Sequence, residues 1–245
     1  LSAISYAKHT GMQPDDAYEI KGAMGNAPEF QLFRKAYNNW KRERGFVDFD
    51  DMITYAPGNV GHFDMVVIDE AQDLSNLQWA YVGRILKSVS PQVVVVAGDD
   101  DQAIYEWSGA NPHGMVRFAD ANKAEVIILD QSWRVPAKVH KVAENVVARI
   151  GNRVPKEYLP RNEKGLSRVV HSFHISQLGS SYRDAAVLYR NHSLSQEISR
   201  QLIWHGIPFN CVGAFPSPLQ SWWGRAVRNY RKLHAGMTLT TQQMQ

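Results

Sequence analysis

Apolar residues recur at spacings of three and four between residues 28 and 44, and this period predicts an α-helix. Pro28 suits its first turn, because proline needs no hydrogen-bond partner there. The apolar face comprises Phe30, Phe33, Tyr37 and Trp40. The opposite face is basic, and we expect it to be solvated; it comprises Arg34, Lys35, Lys41, Arg42 and Arg44.

Two short apolar runs further along the chain predict buried strands. Residues 65–68 (MVVI) run into Asp69 and Glu70, and residues 92–97 (QVVVVA) run into a glycine and three aspartates. Between the two runs, Ser75 with a glutamine three residues later forms a capping-box pattern ahead of a helix. Strand, helix and strand in this order favour a parallel α/β unit.

The periodicity is weak over residues 111–122, which we interpret as the link to a second α/β segment. In that segment, residues 125–129 and 184–189 predict strands. One helix is predicted to begin at Pro136, and another is expected to be capped by Ser193 together with Gln196, three residues later. The residues expected to face inward on the first of these helices are Val139, Val142, Val146, Val147 and Ile150.

Composition narrows the class of protein only a little. The 245 residues are 44% hydrophobic and 21% charged, which excludes disordered and fibrous chains. A net charge of +3 is compatible with nucleic acid but does not establish it. The single cysteine, Cys211, allows no internal disulfide, and no apolar run is long enough to span a bilayer. We therefore expect a cytoplasmic protein with no membrane partner.

The first predicted strand delivers two adjacent carboxylates, Asp69 and Glu70, at its carboxyl end. Open α/β sheets bind their ligands at that edge. Nucleotide hydrolysis needs one carboxylate to hold Mg²⁺ and another to orient or deprotonate the attacking water. An acidic strand-to-loop junction is nevertheless common without any catalytic role, so the pair needs a second signal.

Residues 98–110 (GDDDQAIYEWSGA) supply that signal after the second predicted strand. Together with residues 69–73 (DEAQD), they resemble the UvrD/Rep family of superfamily 1 DNA helicases. In that family, a strand ending in Asp-Glu-x-Gln-Asp precedes one ending in Gly-Asp-x-x-Gln-x-Ile-Tyr-x-x-x-Gly-Ala. The resemblance implies an α/β fold of RecA-like parallel sheets with flanking helices, from parts of two motor domains.

The resemblance also implies a role for each matched residue. Asp69 would bind Mg²⁺, Glu70 would activate water, and Gln102 would sense the γ-phosphate of ATP. Tyr105 and Trp107 would line a track for single-stranded DNA. A glutamine amide can donate to phosphate and accept from water, and aromatic faces stack on bases of any sequence. Ordinary core packing remains the alternative for the two aromatic residues.

A third match lies in residues 129–136 (LDQSWRVP), which resemble the element that opens the second RecA-like domain of these helicases. The family pattern there is Leu-x-x-Asn-Tyr-Arg. The resemblance implies that Arg134 reaches the γ-phosphate as an arginine finger. Trp133 would stack on the nucleotide base in place of the usual tyrosine, and Ser132 stands where asparagine is usual.

Two flanking segments extend the resemblance. Residues 45–53 (GFVDFDDMI) resemble the return from an inserted subdomain. Residues 185–191, followed by 207–209 and Gly213, resemble a strand–helix unit of the second motor domain. The implied organisation is the C-terminal part of an inserted helical subdomain (1–45), the C-terminal half of the first RecA-like domain (46–115) and the N-terminal part of the second (116–245).

The phosphate loop Gly-x-x-x-x-Gly-Lys-Ser/Thr does not occur in this sequence. We expect an internal fragment of an ATP-dependent DNA helicase, missing N- and C-terminal helicase segments and inactive as this chain alone. The complete protein would use ATP and Mg²⁺ and would couple hydrolysis to movement on single-stranded DNA and to duplex unwinding. The alternative is a catalytically inactive nucleic-acid- or protein-binding module that keeps the helicase fold. A helicase–nuclease fusion is a third idea, for which no carboxylate and lysine cluster stands out.

Overall fold

The chain divides into two compact units, Leu1–Ser167 and Arg168–Gln245, in a computed structural model. The residues that the structure describes are 1–22, 26–151, 153–171, 174–175, 178, 185–207, 209–210, 229 and 232. Every residue with a predicted catalytic, nucleotide-binding or DNA-binding role lies in the first unit.

The first unit begins with a group of helices that enclose a small core. They are α1 (Ser2–Thr10), α2 (Pro14–Ile20), α3 (Ala27–Arg44) and α4 (Phe49–Tyr55). Tyr18 of α2 stacks on Phe30 of α3 with ring centroids 4.6 Å apart. Ala3 and Ile4 of α1 are buried against this pair. The core therefore joins three helices through one aromatic contact and small aliphatic side chains.

Helix α3 confirms the helix predicted over residues 28–44, but one residue of its expected basic face is buried. Lys41 forms ion pairs with Asp48 at 2.5 Å and with Asp51. Asp48 caps α4 and shares a capping box with Asp51, so the start of α4 presents two carboxylates to α3. The expectation of a solvated Lys41 was wrong because these carboxylates lie in the next helix, outside the periodicity of α3.

Strands β1 (Met65–Ile68) and β2 (Val93–Val96) pair in parallel, with Met65 opposite Val93 and Ile68 opposite Val96. Helix α5 (Asn76–Val89) connects them, and its predicted capping box at Ser75 is present. The strands were predicted to be buried, but they are only partly covered. Along β1, exposed and half-buried residues alternate, so one face of the sheet is open.

The segment predicted as a link contains helix α6 (Gly114–Asn122). Phe118 of α6 stacks on Trp79 of α5, with ring centroids 5.6 Å apart. The weak periodicity of this segment is consistent with a short helix that packs through one aromatic side chain.

The next α/β segment comprises β3 (Gln131–Pro136), α7 (Ala137–Val147) and β4 (Leu159–Arg161), with β3 and β4 parallel. The strand predicted over residues 125–129 was wrong, because those residues form no regular secondary structure. Backbone pairing with β4 begins only where Leu159 N donates to Asp130 O at 2.7 Å. The apolar run therefore ends where the strand starts.

The inward face predicted for α7 was also wrong. Its main contacts are with β3 and β4, which are too short to cover a row of valines. Val147 is half-buried. The residues left exposed are Val139, Val142, Val146 and Ile150.

The second unit contains helix α8 (His192–Trp204). Its cap is Asn191, which accepts a hydrogen bond from Leu194 N, and Ser193 donates to the Asn191 side chain instead of capping the helix itself. The strand predicted over 184–189 is absent from residues 185–189, which form no regular structure, and residue 184 lies outside the described residues. Cys211 and Gly213 also lie outside them. Among the residues described, no helix combines the length and apolar character needed to cross a membrane.

Candidate functional site

The carboxyl ends of β1 and β2 meet at one edge of their sheet. Ala97 N donates to Ile68 O at 2.7 Å, and Ala71 N donates to Ala97 O at 3.0 Å. These two bonds continue the parallel pairing past both strand ends. Asp69 and Glu70 lie between Ile68 and Ala71 on the chain. The first motif, residues 69–73, therefore begins directly beside the second motif, residues 98–110.

Glu70 has a left-handed backbone, with φ 51° and ψ 38°. This conformation is uncommon for a residue with a side chain and costs about 1 kcal/mol or more. It turns the chain out of β1 into the short 3₁₀ turn Ala71–Asp73. Glu70 N donates to Asp69 Oδ1 at 2.9 Å, and the Glu70 carboxylate accepts a hydrogen bond from Gln72 of this turn. The residue predicted to activate water is thus one of three described non-glycine residues with a positive φ, together with Ser90 and Lys123.

Gln72 connects the two motifs. Its side chain donates through Nε2 to Glu70 Oε2 at 2.7 Å and accepts from Asp99 N through Oε1 at 3.1 Å. The residue is only 2% exposed. Sequence reasoning quoted Gln72 as part of a motif but gave it no role, because a contact between residues 27 positions apart leaves no periodic signal. Its buried amide orients the Glu70 carboxylate.

Gly98 permits this close approach. A Cβ atom at that position would lie 2.5 Å from Gln72 Oε1 and from Met115 Sδ, and 3.1 Å from Ala71 N. Such separations are shorter than van der Waals contact, so any larger residue would displace the Gln72 amide. The glycine that follows β2 therefore leaves room for the Gln72 amide in its present position.

Asp99 orients Gln102. The Gln102 side chain donates through Nε2 to Asp99 Oδ2 at 2.7 Å, and its backbone N–H donates to Asp99 O at 2.9 Å. Burial acts to raise the pKa of Asp99, but hydrogen bonds from Gln102, Lys156 and Tyr158 outweigh it and hold that pKa below its usual range. An ionised carboxylate therefore fixes the amide predicted to sense the γ-phosphate.

Asp69 has the chemistry expected of a magnesium ligand. Its side chain is exposed, and Oδ1 accepts the hydrogen bond from Glu70 N. Its second oxygen has no hydrogen-bond partner among the residues that the structure describes. Mg²⁺ prefers oxygen ligands and commonly uses one or two carboxylates together with water and phosphate oxygens. The residues present therefore fit this ion.

The two predicted DNA-stacking residues follow the Gln102 turn on the surface. Tyr105 is exposed and Trp107 is 69% exposed, so ordinary core packing does not explain either of them. Lys21, which sequence reasoning did not single out, donates to Trp107 O and lies 6.0 Å from the centre of its ring. The result is an exposed aromatic surface beside a cation.

Trp133 and Arg134 lie on a different sheet. Both are exposed residues of β3. Within the described part of the chain, neither side chain makes a hydrogen bond, ion pair or ring contact, with Asp69, Glu70 or any other residue. Their assigned roles at the nucleotide remain predictions.

His9 forms a serine–histidine–aspartate arrangement close to the first motif. Its Nδ1 hydrogen-bonds with Ser75 Oγ at 2.7 Å, and its Nε2 with Asp50 Oδ1 at 2.9 Å. Ser75 is buried, however, and its Oγ accepts from Gln78 N at 3.2 Å as the cap of α5. These contacts make a structural tie between α1, α4 and α5, since the hydroxyl is inaccessible to substrate.

Residues 1–123 match the model of the UvrD/REP helicase N-terminal domain. The matched range ends just beyond α6 and contains both the Asp-Glu turn and the Gln102 turn.

Three similar proteins illustrate the extent of the match. DNA helicase II of Haemophilus influenzae is 28% identical over 236 residues, covering 86% of this chain and 32% of that protein. ATP-dependent DNA helicase PcrA of Leuconostoc citreum is 30% identical over 241 residues, covering 87% and 32%. DNA helicase II of Escherichia coli is 28% identical over 240 residues, covering 86% and 32%. This chain thus spans about a third of the length of these relatives. With half of its sequence matched by the family model and both motifs joined at one sheet edge, the chain belongs to the UvrD/Rep helicase family.

Proposed function

We propose that this chain contributes the metal-binding and water-activating part of the ATPase site of a DNA helicase. The observation that carries the proposal is the continuous network at the edge of the β1–β2 sheet. Glu70 is oriented by Gln72, which also binds the loop of Asp99, and Asp99 orients Gln102. The related proteins are named DNA helicases, and the PcrA relatives are named ATP-dependent.

In this proposal, each side chain has a defined task in phosphoryl transfer. Asp69 holds Mg²⁺, which neutralises charge on the phosphate oxygens when it is bound. Glu70 orients the attacking water and accepts its proton. Gln102 donates to the γ-phosphate and reports its presence to the adjacent loop. Arg134 supplies positive charge to the same phosphate, and Trp133 stacks on the base.

Coupling to DNA follows from the order of residues in the second loop. Gln102 is followed within five positions by Tyr105 and Trp107, both exposed. Stacking on aromatic faces tolerates any base sequence, which a translocating motor requires. A displacement of Gln102 on loss of the γ-phosphate would therefore be transmitted directly to the DNA-stacking residues.

The test is a chimera in which this chain replaces the corresponding third of Escherichia coli DNA helicase II. We expect ATP hydrolysis that single-stranded DNA stimulates and that Glu70→Gln abolishes. Glu125→Gln is the matched control, because Glu125 is exposed in a segment without regular structure.

Two results would contradict the proposal. One is turnover in the chimera that Glu70→Gln leaves unchanged. The other is a folded chimera that binds ATP and DNA but hydrolyses nothing, which favours the inactive binding module.

A further inference from the structure

Three consecutive aspartates surround one lysine ammonium group. Lys156 Nζ lies 3.0 Å from Asp99 Oδ1 and 3.2 Å from Asp101 Oδ2, and it also forms an ion pair with Asp100. One carboxylate oxygen from each of the three aspartates lies within 4.8 Å of the other two, close enough to share a metal ion. The lysine ammonium occupies the position that such an ion would take.

The segment that carries Lys156 makes further contacts with the same carboxylates. Arg153 donates to both oxygens of Asp101, at 2.7 Å from Nε and 2.6 Å from Nη2. Val154 N donates to Asp100 Oδ2 at 2.6 Å. The three negative charges are thus balanced by two positive charges and by hydrogen bonds from residues 153–158, a segment to which the family resemblance gave no role.

This cluster differs from an ordinary surface ion pair because its charges are buried. The side chains of Asp100, Asp101 and Lys156 are 5%, 4% and 6% exposed. Exposed pairs contribute little, whereas removing one partner of a buried pair leaves an uncompensated charge. Burial alone would lower the pKa of Lys156, but its hydrogen bonds to Asp100 and Asp99 raise that pKa above its ordinary value.

The cluster is linked to Gln102 through Asp99. One Asp99 oxygen contacts Lys156 and the other accepts from Gln102 Nε2 at 2.7 Å. Tyr158 binds the same carboxylate; burial and this hydrogen bond raise the pKa of Tyr158 to about 12. Loss of the ammonium would therefore leave the Gln102 amide attached to a carboxylate without its cation.

We propose that Lys156 is a tethered cation: its ammonium group fills the cage formed by Asp99, Asp100 and Asp101, excludes divalent cations from it, and positions Gln102. Exclusion leaves Asp69 as the metal-binding carboxylate of the site. Lys156 is a positioning residue, because it acts on the nucleotide only through Asp99 and Gln102. The positioning of Gln102 matters for ATP hydrolysis only if the proposed function is correct, whereas filling of the cage does not depend on it.

Terbium luminescence tests the cage without ATP. Tyr158 touches the cage, so Tb³⁺ bound there would be sensitised by tyrosine excitation. We expect Lys156→Gln to bind Tb³⁺ at least about tenfold more tightly than the unaltered chain, a difference of about 1.4 kcal/mol. Lys156→Arg should keep the cage closed, and Lys87→Gln, at an exposed lysine of α5, should behave as the unaltered chain.

The gain in Tb³⁺ affinity should disappear when Asp100→Asn is added to Lys156→Gln. Positioning is read from the side-chain amide signals of Gln102 in ¹H–¹⁵N spectra. These signals should shift in Lys156→Gln and return towards their original positions in Lys156→Arg. A gain that persists with Asp100→Asn would place the ion elsewhere and overturn the proposal, as would unchanged Gln102 signals in Lys156→Gln.

A measurement on the unaltered chain covers the case in which Lys156→Gln fails to fold. An ammonium group held by three carboxylates exchanges its protons slowly, so the Lys156 NH₃⁺ group should give a ¹⁵N signal distinct from those of exposed lysines. Overlap of the Lys156 signal with theirs would overturn the proposal. Because none of these measurements uses ATP, their failure is separable from failure of the proposed function.

Discussion

Replacing Gln72 with leucine removes the amide that joins the two motifs and nearly preserves side-chain volume. The change deletes the 2.7 Å bond to Glu70 and the 3.1 Å bond from Asp99 N. Glu70 is exposed, so water can replace the first bond at little cost. Asp99 is half-buried and its N–H meets the side chain of Gln72, which is only 2% exposed, so leucine would leave this donor without its acceptor at a cost of about 1–3 kcal/mol. We therefore expect the loops to be destabilised by about 2 kcal/mol.

Hydrogen exchange at the Ala71 amide measures this loss. Ala71 N donates to Ala97 O, so its exchange requires the two loops to separate, and the bond itself is not altered by the substitution. A change of about 2 kcal/mol corresponds to exchange about 30-fold faster, since 1.4 kcal/mol is tenfold. Gln92→Leu provides the matched control, because Gln92 is exposed at the start of the other strand.

Gly98→Ala tests the same contact while retaining the amide. The added Cβ would lie 2.5 Å from Gln72 Oε1 and should displace it, so exchange at Ala71 should again accelerate. Gly83→Ala is the control, because a Cβ at Gly83 meets no atom within 4 Å. If both Gln72→Leu and Gly98→Ala leave exchange at Ala71 unchanged, then Gln72 does not hold the two motifs together and this reasoning is refuted.

Three further predictions concern stability, turnover and DNA. Lys41→Met should lower the free energy of unfolding by about 2 kcal/mol in urea titrations, because it removes the charged hydrogen bonds from Lys41 to Asp48 and Asp51 and leaves Lys8 as their remaining ammonium partner, whereas Lys35→Met should not. Burial acts to raise the pKa of Asp48, but the hydrogen bond from Lys41 lowers it. The difference in stability between Lys41→Met and the unaltered chain should therefore be full above the ordinary aspartate pKa of about 3.9 and shrink as the pH falls below it. This chain alone should hydrolyse ATP only at the background rate, with or without single-stranded DNA. Turnover by the unaltered chain above that rate, and its loss in Glu70→Gln, would contradict this prediction. In the chimera, Trp107→Ala should weaken binding of single-stranded DNA by about 1–3 kcal/mol in fluorescence titrations, and unchanged affinity would remove Trp107 from the track.

Local patterns predicted the elements that depend on neighbouring residues. The period over residues 28–44 identified α3, and the capping box at Ser75 marked the start of α5 within one residue. The two apolar runs located β1 and β2, which brought Glu70 and Gln102 to one sheet edge. These successes share a cause, because helix caps and strand periods are set by contacts between residues close in sequence.

Predictions failed where distant residues decide the outcome. The apolar run at 125–129 lacks a pairing strand, whereas residues 131–136 have one in β4. The periodicity of α3 assigned Lys41 to a solvated face, but its ammonium group pairs with Asp48, the cap of α4, and with Asp51 in α4. The roles of Gln72 and Lys156 depend on contacts 27 and 56 positions away, respectively, and no window of sequence contains both partners.

Under the proposed function, the network at the sheet edge would prepare part of an ATPase site before nucleotide arrives. The orientation of Glu70 depends on Gln72 and that of Gln102 on Asp99, and all of these lie in residues 69–102. None of these bonds involves Arg134 or Trp133. Phosphoryl transfer is accelerated mainly by positioning and charge stabilisation, so a prepared Glu70 has nothing to act on until a phosphate is held in line with it. Control of hydrolysis in the complete protein would then lie in delivering the phosphate to this edge, with little rearrangement of the edge itself.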